Sequence, residues 1–167
     1  MEQWNGFKVL AAEEPQEESS KDSLVHSLQV TLSDVTVFYY MSHSSHWNVK
    51  GTDFAQYHAL FEAIYSDVYE SIDAIAENIL KLGYSAPISL KSLVEMANIT
   101  EVVTTETEPI ILARNLKEKN TRVIETLKKT FDIANKENEQ GVANFIAERI
   151  DMHQKWDWQL KASLGER

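Results

Sequence analysis

The residues best suited to chemistry lie in one stretch of the chain, residues 43–77. This stretch carries three of the five histidines, followed by carboxylates at regular spacing. The residues are His43, His46, His58, Glu62, Asp73 and Glu77. Imidazole nitrogens and carboxylate oxygens suit Fe2+, Mn2+ or Zn2+, and iron is the natural choice for redox chemistry. Because the sequence contains no cysteine, thiolate sites and disulfides are excluded within it.

Helical geometry places four of these residues on one stripe. If residues 54–82 form a helix and His58 is set to zero, Glu62 lies at about 40° and Asp73 at about 60°. Glu77 then lies at about 100°. The apolar residues of the same segment centre near about 300°, so the stripe is separate from the core face. It faces either solvent or a second buried surface.

The length of the same helix limits how the stripe can bind metal. The His58/Glu62 pair lies about 22 Å along the helix from the Asp73/Glu77 pair. Metal–ligand bonds are about 2 Å long, so one ion cannot bind both pairs of one chain. A two-fold axis near residues 67–68 would place each pair opposite the other pair of a second chain. His46 would join His58 and Glu62, since it precedes the turn between the two helices.

Simpler interpretations exist for each of these residues. Acidic residues four positions apart commonly lie on a solvated helix face, and a lone histidine is more often structural than a ligand. We expect His43 to be a surface histidine, with hydrogen bonding to a metal ligand as the alternative. His26 and His153 follow helical spacing and are expected to be structural. The Glu-x-x-His motif for a metal inside one bundle is absent.

Four long amphipathic helices are predicted to position the stretch. Apolar residues recur at steps of three and four over about residues 22–49, 53–82, 107–134 and 140–164. Asp22 or Ser23 is expected to start the first helix, and Thr107 to cap the third. Gly51 and Gly83 supply the turns that end the first two helices.

The link between the second and third helices is long. It contains a predicted short helix at Ser89–Met96 and a crossover loop at residues 98–106. Two hairpins with short loops, joined by a long crossover, form the connectivity of a ferritin-like bundle. We therefore predict an all-α, ferritin-like four-helix bundle with a short helix in the long connection. The bundle domain is expected to span residues 22–167, after an acidic, flexible tail at residues 1–21.

The charge and hydropathy of the chain restrict its partners. A net charge of −10 argues against non-specific DNA binding, which needs clustered lysines and arginines. A negative field attracts cations such as Fe2+. There is no apolar run long enough for a transmembrane helix, and the N-terminus lacks the pattern of a secretory signal. We expect a cytoplasmic protein with no membrane partner.

The stretch resembles the signature of the Dps proteins, the mini-ferritins also called DNA-binding proteins from starved cells. The resemblance is carried by His46-Trp47-Asn48-Val49-Lys50-Gly51, Phe54, His58, Glu62 and Asp73-Ala74-Ile75-Ala76-Glu77. It continues through His153, Trp156 and Leu160 of the last predicted helix, and covers about residues 22–164.

This resemblance implies a ferroxidase in a hollow dodecamer built from two-fold dimers. Iron would bind to His46, His58 and Glu62 of one subunit and to Asp73 and Glu77 of its partner. Hydrogen peroxide, or dioxygen, would oxidise Fe2+ there, and ferric mineral would collect inside. Such use of peroxide suppresses hydroxyl-radical formation and protects against oxidative damage. Trp47 would pack beside the site and could trap radicals.

Two departures from the family pattern affect function. DNA-binding members usually carry basic tails, whereas residues 13–20 contain four acids and no base. DNA binding is therefore not expected, and a DNA-compacting structural protein with a secondary iron site is the alternative. Asn144 stands where an iron-entry pore commonly has Asp, and Glu137, Glu139 or Glu148 could take its place.

Overall fold

The computed structural model describes residues 20–166, and helices are the only regular elements in that range. They are α1 (Ser20–Asn48), α2 (Phe54–Lys81), α3 (Leu90–Met96), α4 (Pro109–Lys136) and α5 (Gln140–Ser163). Helix α1 packs against α2, α3 and α4, and α4 packs against α5. The predicted all-α bundle with a short helix in its long connection is confirmed. The predicted tail lies outside the described residues, apart from Ser20 and Lys21 at the start of α1.

The turn between α1 and α2 is short and is held against α4. Gly51 has a φ of 125°, which residues with a side chain rarely adopt. A Cβ at this position would lie 3.4 Å from Cδ of Pro109. The backbone N–H of Lys50 donates a hydrogen bond of 2.9 Å to the Thr107 carbonyl. The expected glycine turn is therefore present, and it is fixed to the start of α4.

The starts of α3 and α4 are capped differently. The Ser89 hydroxyl accepts the N–H of Ser92 at 3.0 Å, which makes Ser89 the N-cap of α3. The prediction that Thr107 caps α4 is wrong, because the N-cap is Glu108 and it makes no side-chain capping bond. Pro109 occupies the first position of α4, where its missing N–H leaves nothing unpaired.

The core lies between the four long helices and follows the apolar spacing seen in the sequence. Its largest fully buried side chains include Leu24, Leu28, Phe38, Phe61, Ile64, Ile75, Leu116, Leu127, Ile146 and Leu160. Burying one such side chain stabilises the fold by about 1.5–3 kcal/mol. This burial fixes the rotation of α2 about its axis, so the acidic stripe of α2 lies on the outside of the subunit. No helix within residues 20–166 has the length and apolar character needed to span a membrane.

A buried carboxylate ties the long connection to the bundle. Asp34 of α1 is fully buried. Its Oδ1 accepts the backbone N–H groups of Asn98 and Ile99 at 2.7 and 3.1 Å. Its Oδ2 accepts the Thr126 hydroxyl of α4 at 2.7 Å. The end of α3 is thereby anchored to α1 and α4, an arrangement that helical periodicity did not predict.

A partly buried ion pair joins the middle of α2 to α5. Arg149 donates two hydrogen bonds, of 3.0 and 2.8 Å, to the carboxylate of Asp67, and Trp156 Nε1 donates a third of 2.7 Å. Burial alone would raise the pKa of Asp67, but these hydrogen bonds and the charge of Arg149 lower it overall. Asp67 lies midway between the two predicted ligand pairs of α2, so this contact holds α2 at the level of the predicted two-fold axis.

His153 is fully buried next to this ion pair. Its Nδ1–H donates to Asn120 Oδ1 at 2.7 Å, and the Asn120 amide donates to the His153 carbonyl at 2.8 Å. Burial, and then the charge of Arg149, lower the pKa of His153 to about 3. The ring is therefore neutral at pH 7, and its predicted structural role is confirmed.

Acid is expected to destabilise the fold through His153. The pKa of this group is about 6.5 in the unfolded chain and about 3 in the folded chain. As the pH falls between these values, the unfolded chain binds a proton that the folded chain does not. The free energy of unfolding should then fall by up to about 1.4 kcal/mol per pH unit from this group.

Urea unfolding at several pH values tests this expectation. His153→Gln should reduce the slope of stability against pH, whereas His26→Gln, at an exposed position, should retain it. Equal slopes in the wild type and in His153→Gln would contradict the role assigned to His153.

Candidate metal centre

His46 and His58 face each other where α1 meets α2. Their rings stack with centroids 3.7 Å apart and an angle of 22° between the planes. Nδ1 of each ring lies 2.9 Å from the backbone carbonyl oxygen of the other residue. A carbonyl oxygen only accepts hydrogen bonds, so both Nδ1 atoms carry a proton. In the neutral ring, Nε2 then retains its lone pair.

This reciprocal pairing leaves both rings in a form that can bind a metal ion. Hydrogen bonding of the second ring nitrogen to a carbonyl fixes the tautomer and orientation of a metal-binding histidine. Neither Nε2 has a hydrogen-bond partner within residues 20–166. Both side chains are half-buried, so the free nitrogens can be reached from outside the subunit. The pair therefore presents two free nitrogen lone pairs without rearrangement of the backbone.

The three carboxylates lie on the exposed face of α2. Glu62 is one turn after His58, whereas Asp73 and Glu77 lie near the other end of the helix. None of the three makes a hydrogen bond or an ion pair with another described residue. They remain available to bind a cation or to contact another chain.

One subunit holds only part of the predicted site. Within residues 20–166, no group of three or more His, Asp or Glu residues lies close enough together to hold an ion. The structure brings His46 and His58 together, and α2 continues without interruption between them and the pair Asp73/Glu77. The five-residue site requires a second chain and stays a prediction.

Aromatic side chains surround the histidine pair. Phe54 stacks on His58 with centroids 4.8 Å apart, and Tyr65 meets the His46 ring edge-on at 5.2 Å. His43 stacks on Tyr65 at 4.0 Å. Stacking between α1 and α2 fixes the orientation of these rings around the candidate centre.

The prediction that His43 is a plain surface histidine is wrong. Its side chain is half-buried, and its Nδ1 lies 3.1 Å from the Tyr39 hydroxyl one turn earlier on α1. The ring centroid of His43 is 4.2 Å from that of Trp47 and 6.3 Å from that of His46. Burial, and then the charge of His46, lower the pKa of His43, so its ring is neutral at pH 7. The spacing of Tyr39 and His43 by four residues was the only sequence signal for this contact.

The outer face of α2 carries large apolar side chains among its acids. Tyr69 and Leu80 fall at about 20° and about 40° on the same helical wheel as the acids, and they are 61% and 56% exposed. Phe54 and Trp47 are also exposed near the histidine pair. Large exposed apolar groups among polar residues mark interaction surfaces, and aromatic residues are enriched there. Their presence favours an interface over the simple solvated-face interpretation.

Comparison with known proteins places this architecture in a family. The model of the ferritin-like domain matches residues 25–167. The chain is 28% identical over 144 residues to General stress protein 20U of Bacillus subtilis, covering 86% of this chain and 99% of that protein. It is also 28% identical over 143 residues to DNA protection during starvation protein 2 of Bacillus anthracis, covering 86% and 97%.

A solved structure extends the similarity to three dimensions. The fold matches the crystal structure of the DPS protein from Vibrio cholerae O1 with a TM-score of 0.82 and 26% identity, covering 89% of this chain and 92% of that chain. These matches extend over nearly the whole of each relative. The chain belongs to the ferritin-like family and, within it, to the Dps proteins.

Proposed function

We propose that the protein is a ferroxidase and iron-storage protein that oxidises Fe2+ at sites shared by two subunits. Membership of the family supports iron binding and storage in general. The Vibrio cholerae relative is a ferritin-like diiron-carboxylate protein. The observation that carries the finer proposal is the His46–His58 pair. Each ring gives its Nδ1–H to the carbonyl of the other residue, which leaves both Nε2 lone pairs for an ion.

The residues of the proposed site have distinct roles. His46 and His58 bind Fe2+ through Nε2, and Glu62 supplies an oxygen one turn further along α2. Asp73 and Glu77 of the partner subunit complete the set. Carboxylates stabilise Fe3+ more than Fe2+ because Coulomb attraction grows with the charge of the ion. This difference in stabilisation favours transfer of an electron from Fe2+ to the oxidant. With peroxide, two Fe2+, one H2O2 and two protons give two Fe3+ and two waters.

An isologous dimer supplies the second half of each site. A two-fold axis through the middle of α2 aligns two copies antiparallel and creates two equivalent sites. The exposed Trp47, Tyr69 and Leu80 support burial of this face against another chain. The assembly of such dimers into a hollow dodecamer belongs to the same proposal and provides the space for ferric mineral.

Protection of DNA is supported for the family in general, and direct binding is a separate question. The Bacillus anthracis relative is named for DNA protection. This chain carries a net charge of −10, which opposes contact with phosphates. We propose that protection comes from removal of Fe2+ and peroxide, which together produce hydroxyl radicals. A DNA-compacting role is the second candidate.

Loss of the partner carboxylates is expected to slow iron oxidation. Asp73→Ala/Glu77→Ala removes two of the five proposed ligands, so the initial rate of Fe3+ formation should fall at least about tenfold. The measurement is ferric absorbance after anaerobic Fe2+ is mixed with peroxide. Glu125→Ala/Asp132→Ala removes two exposed carboxylates from α4 and is the matched control. Equal rates in the wild type and in Asp73→Ala/Glu77→Ala would refute the site.

The protein is expected to form no DNA complex even at low salt. An electrophoretic mobility shift assay measures this directly. Replacing Glu13, Glu14, Glu17 and Glu18 by lysine removes four acids from the tail and adds four bases, so this variant should gain salt-sensitive binding. Tight, salt-sensitive complexes of the wild type would favour the DNA-compacting role instead.

A further inference from the structure

We propose that Tyr39 and His43 form a redox-active pair that supplies one electron to peroxide when the metal centre holds a single Fe2+. Reduction of peroxide to two waters takes two electrons, whereas one Fe2+ supplies only one. A nearby side chain that supplies the other electron prevents release of a hydroxyl radical. This inference rests on the proposed function and adds to it the source of the second electron.

The hydrogen bond between the two side chains suits coupled loss of an electron and a proton. The Tyr39 oxygen lies 3.1 Å from Nδ1 of His43. We assign the phenol as donor because its O–H has no other acceptor within residues 20–166. Nδ1 of His43 then holds a lone pair, and Nε2 carries the ring proton. A phenol that is oxidised must release its proton, and a base within hydrogen-bond distance can accept it.

A series of ring contacts connects this pair to the metal centre. The centroid of Tyr65 is 5.2 Å from that of His46 and 4.0 Å from that of His43. The centroid of Tyr39 is 5.6 Å from that of His43 and 6.5 Å from that of Tyr65. All four side chains are half-buried. An electron from Tyr39 can therefore reach the proposed ligand His46 through adjacent rings without crossing solvent.

The other aromatic residues around His46 lack such a base. The hydroxyls of Tyr65 and Tyr69 have no hydrogen-bond partner among the described residues, and neither has the indole N–H of Trp47. Tyr69 lies 5.2 Å from Tyr39 and is 61% exposed, so it extends the path to the subunit surface. Tyr39 is thus the member of this cluster whose proton has a defined acceptor.

The proposed step balances in atoms and charge. Fe2+ and Tyr39 each give one electron to H2O2, its O–O bond breaks, and both oxygens leave as water with two protons from solvent. The phenol proton moves to Nδ1 of His43, and Tyr39 becomes a neutral phenoxyl radical. A second Fe2+ later returns an electron to Tyr39 while His43 returns the proton. The sum is two Fe2+, one H2O2 and two protons converted to two Fe3+ and two waters.

Freeze-quench electron paramagnetic resonance tests the pair. The assembled protein is mixed with one Fe2+ per chain and equimolar H2O2, frozen within milliseconds, and examined for a tyrosyl radical. The wild type and Tyr40→Phe should show the radical, since Tyr40 makes no hydrogen bond to a base. Tyr39→Phe should lose the signal and release more hydroxyl radical to a spin trap in solution.

A second variant, His43→Gln, tests whether His43 accepts the phenol proton of Tyr39. In His43→Gln the side-chain amide can accept the phenol hydrogen bond but cannot retain the proton. This variant should therefore form less radical than the wild type. It also provides a test that does not depend on the folding of Tyr39→Phe.

The possible outcomes separate this inference from the proposed function. Ferric absorbance without a tyrosyl radical in the wild type overturns the pair and leaves the ferroxidase. A tyrosyl radical that persists in Tyr39→Phe also overturns the pair and leaves the ferroxidase. Loss of the radical in Trp47→Phe instead of Tyr39→Phe does the same. Absence of ferric absorbance in the wild type overturns the proposed function itself.

Discussion

A metal ion lies about 2 Å from each ligand atom, whereas the two proposed ligand pairs of α2, His58/Glu62 and Asp73/Glu77, are separated by about 22 Å of helix. The structure shows α2 as one continuous helix from Phe54 to Lys81, so no bend brings the pairs together. Core packing and the Asp67–Arg149 ion pair fix the helix from its inner side. The acids remain on the outer side among exposed apolar residues. Under the proposed function, the same surface therefore provides both the metal ligands and the contact between subunits.

The backbone fixes the two imidazoles of the proposed centre. Each imidazole is fixed by a carbonyl of the opposite helix, so the tautomer of both rings follows from the α1–α2 turn. That turn depends on the positive φ of Gly51 and on the hydrogen bond from Lys50 to the start of α4. The geometry of the two proposed ligands, His46 of α1 and His58 of α2, thus also depends on α4.

Much of the fold followed from the sequence because apolar spacing reports directly on the buried face of each helix. The four long helices, the short helix and the glycine turns were all predicted. The predicted N-cap of α4, Thr107, was wrong because the helix starts at Pro109 and the Thr107 carbonyl accepts a hydrogen bond from the Lys50 N–H. The role of Asp34 and the Tyr39–His43–Tyr65 contacts were missed. Asp34 and the His43–Tyr65 contact join segments that only tertiary packing brings together, whereas Tyr39 and His43 lie one turn apart on α1. The helical wheel also could not distinguish a solvated face from an interface, whereas the exposure of Tyr69 and Leu80 favours the latter.

The most direct measurement of a shared site is the recovery of activity when two inactive variants assemble together. One variant carries His46→Ala/His58→Ala/Glu62→Ala, and the other carries Asp73→Ala/Glu77→Ala. If the two variants pair at random, half of the two-fold dimers contain one chain of each variant. Each mixed dimer has one site with all five proposed ligands and one site with none. Co-expressed chains should therefore regain about a quarter of the wild-type rate of Fe2+ oxidation. A rate no higher than that of either variant alone, in particles of wild-type size, would contradict a site shared between subunits.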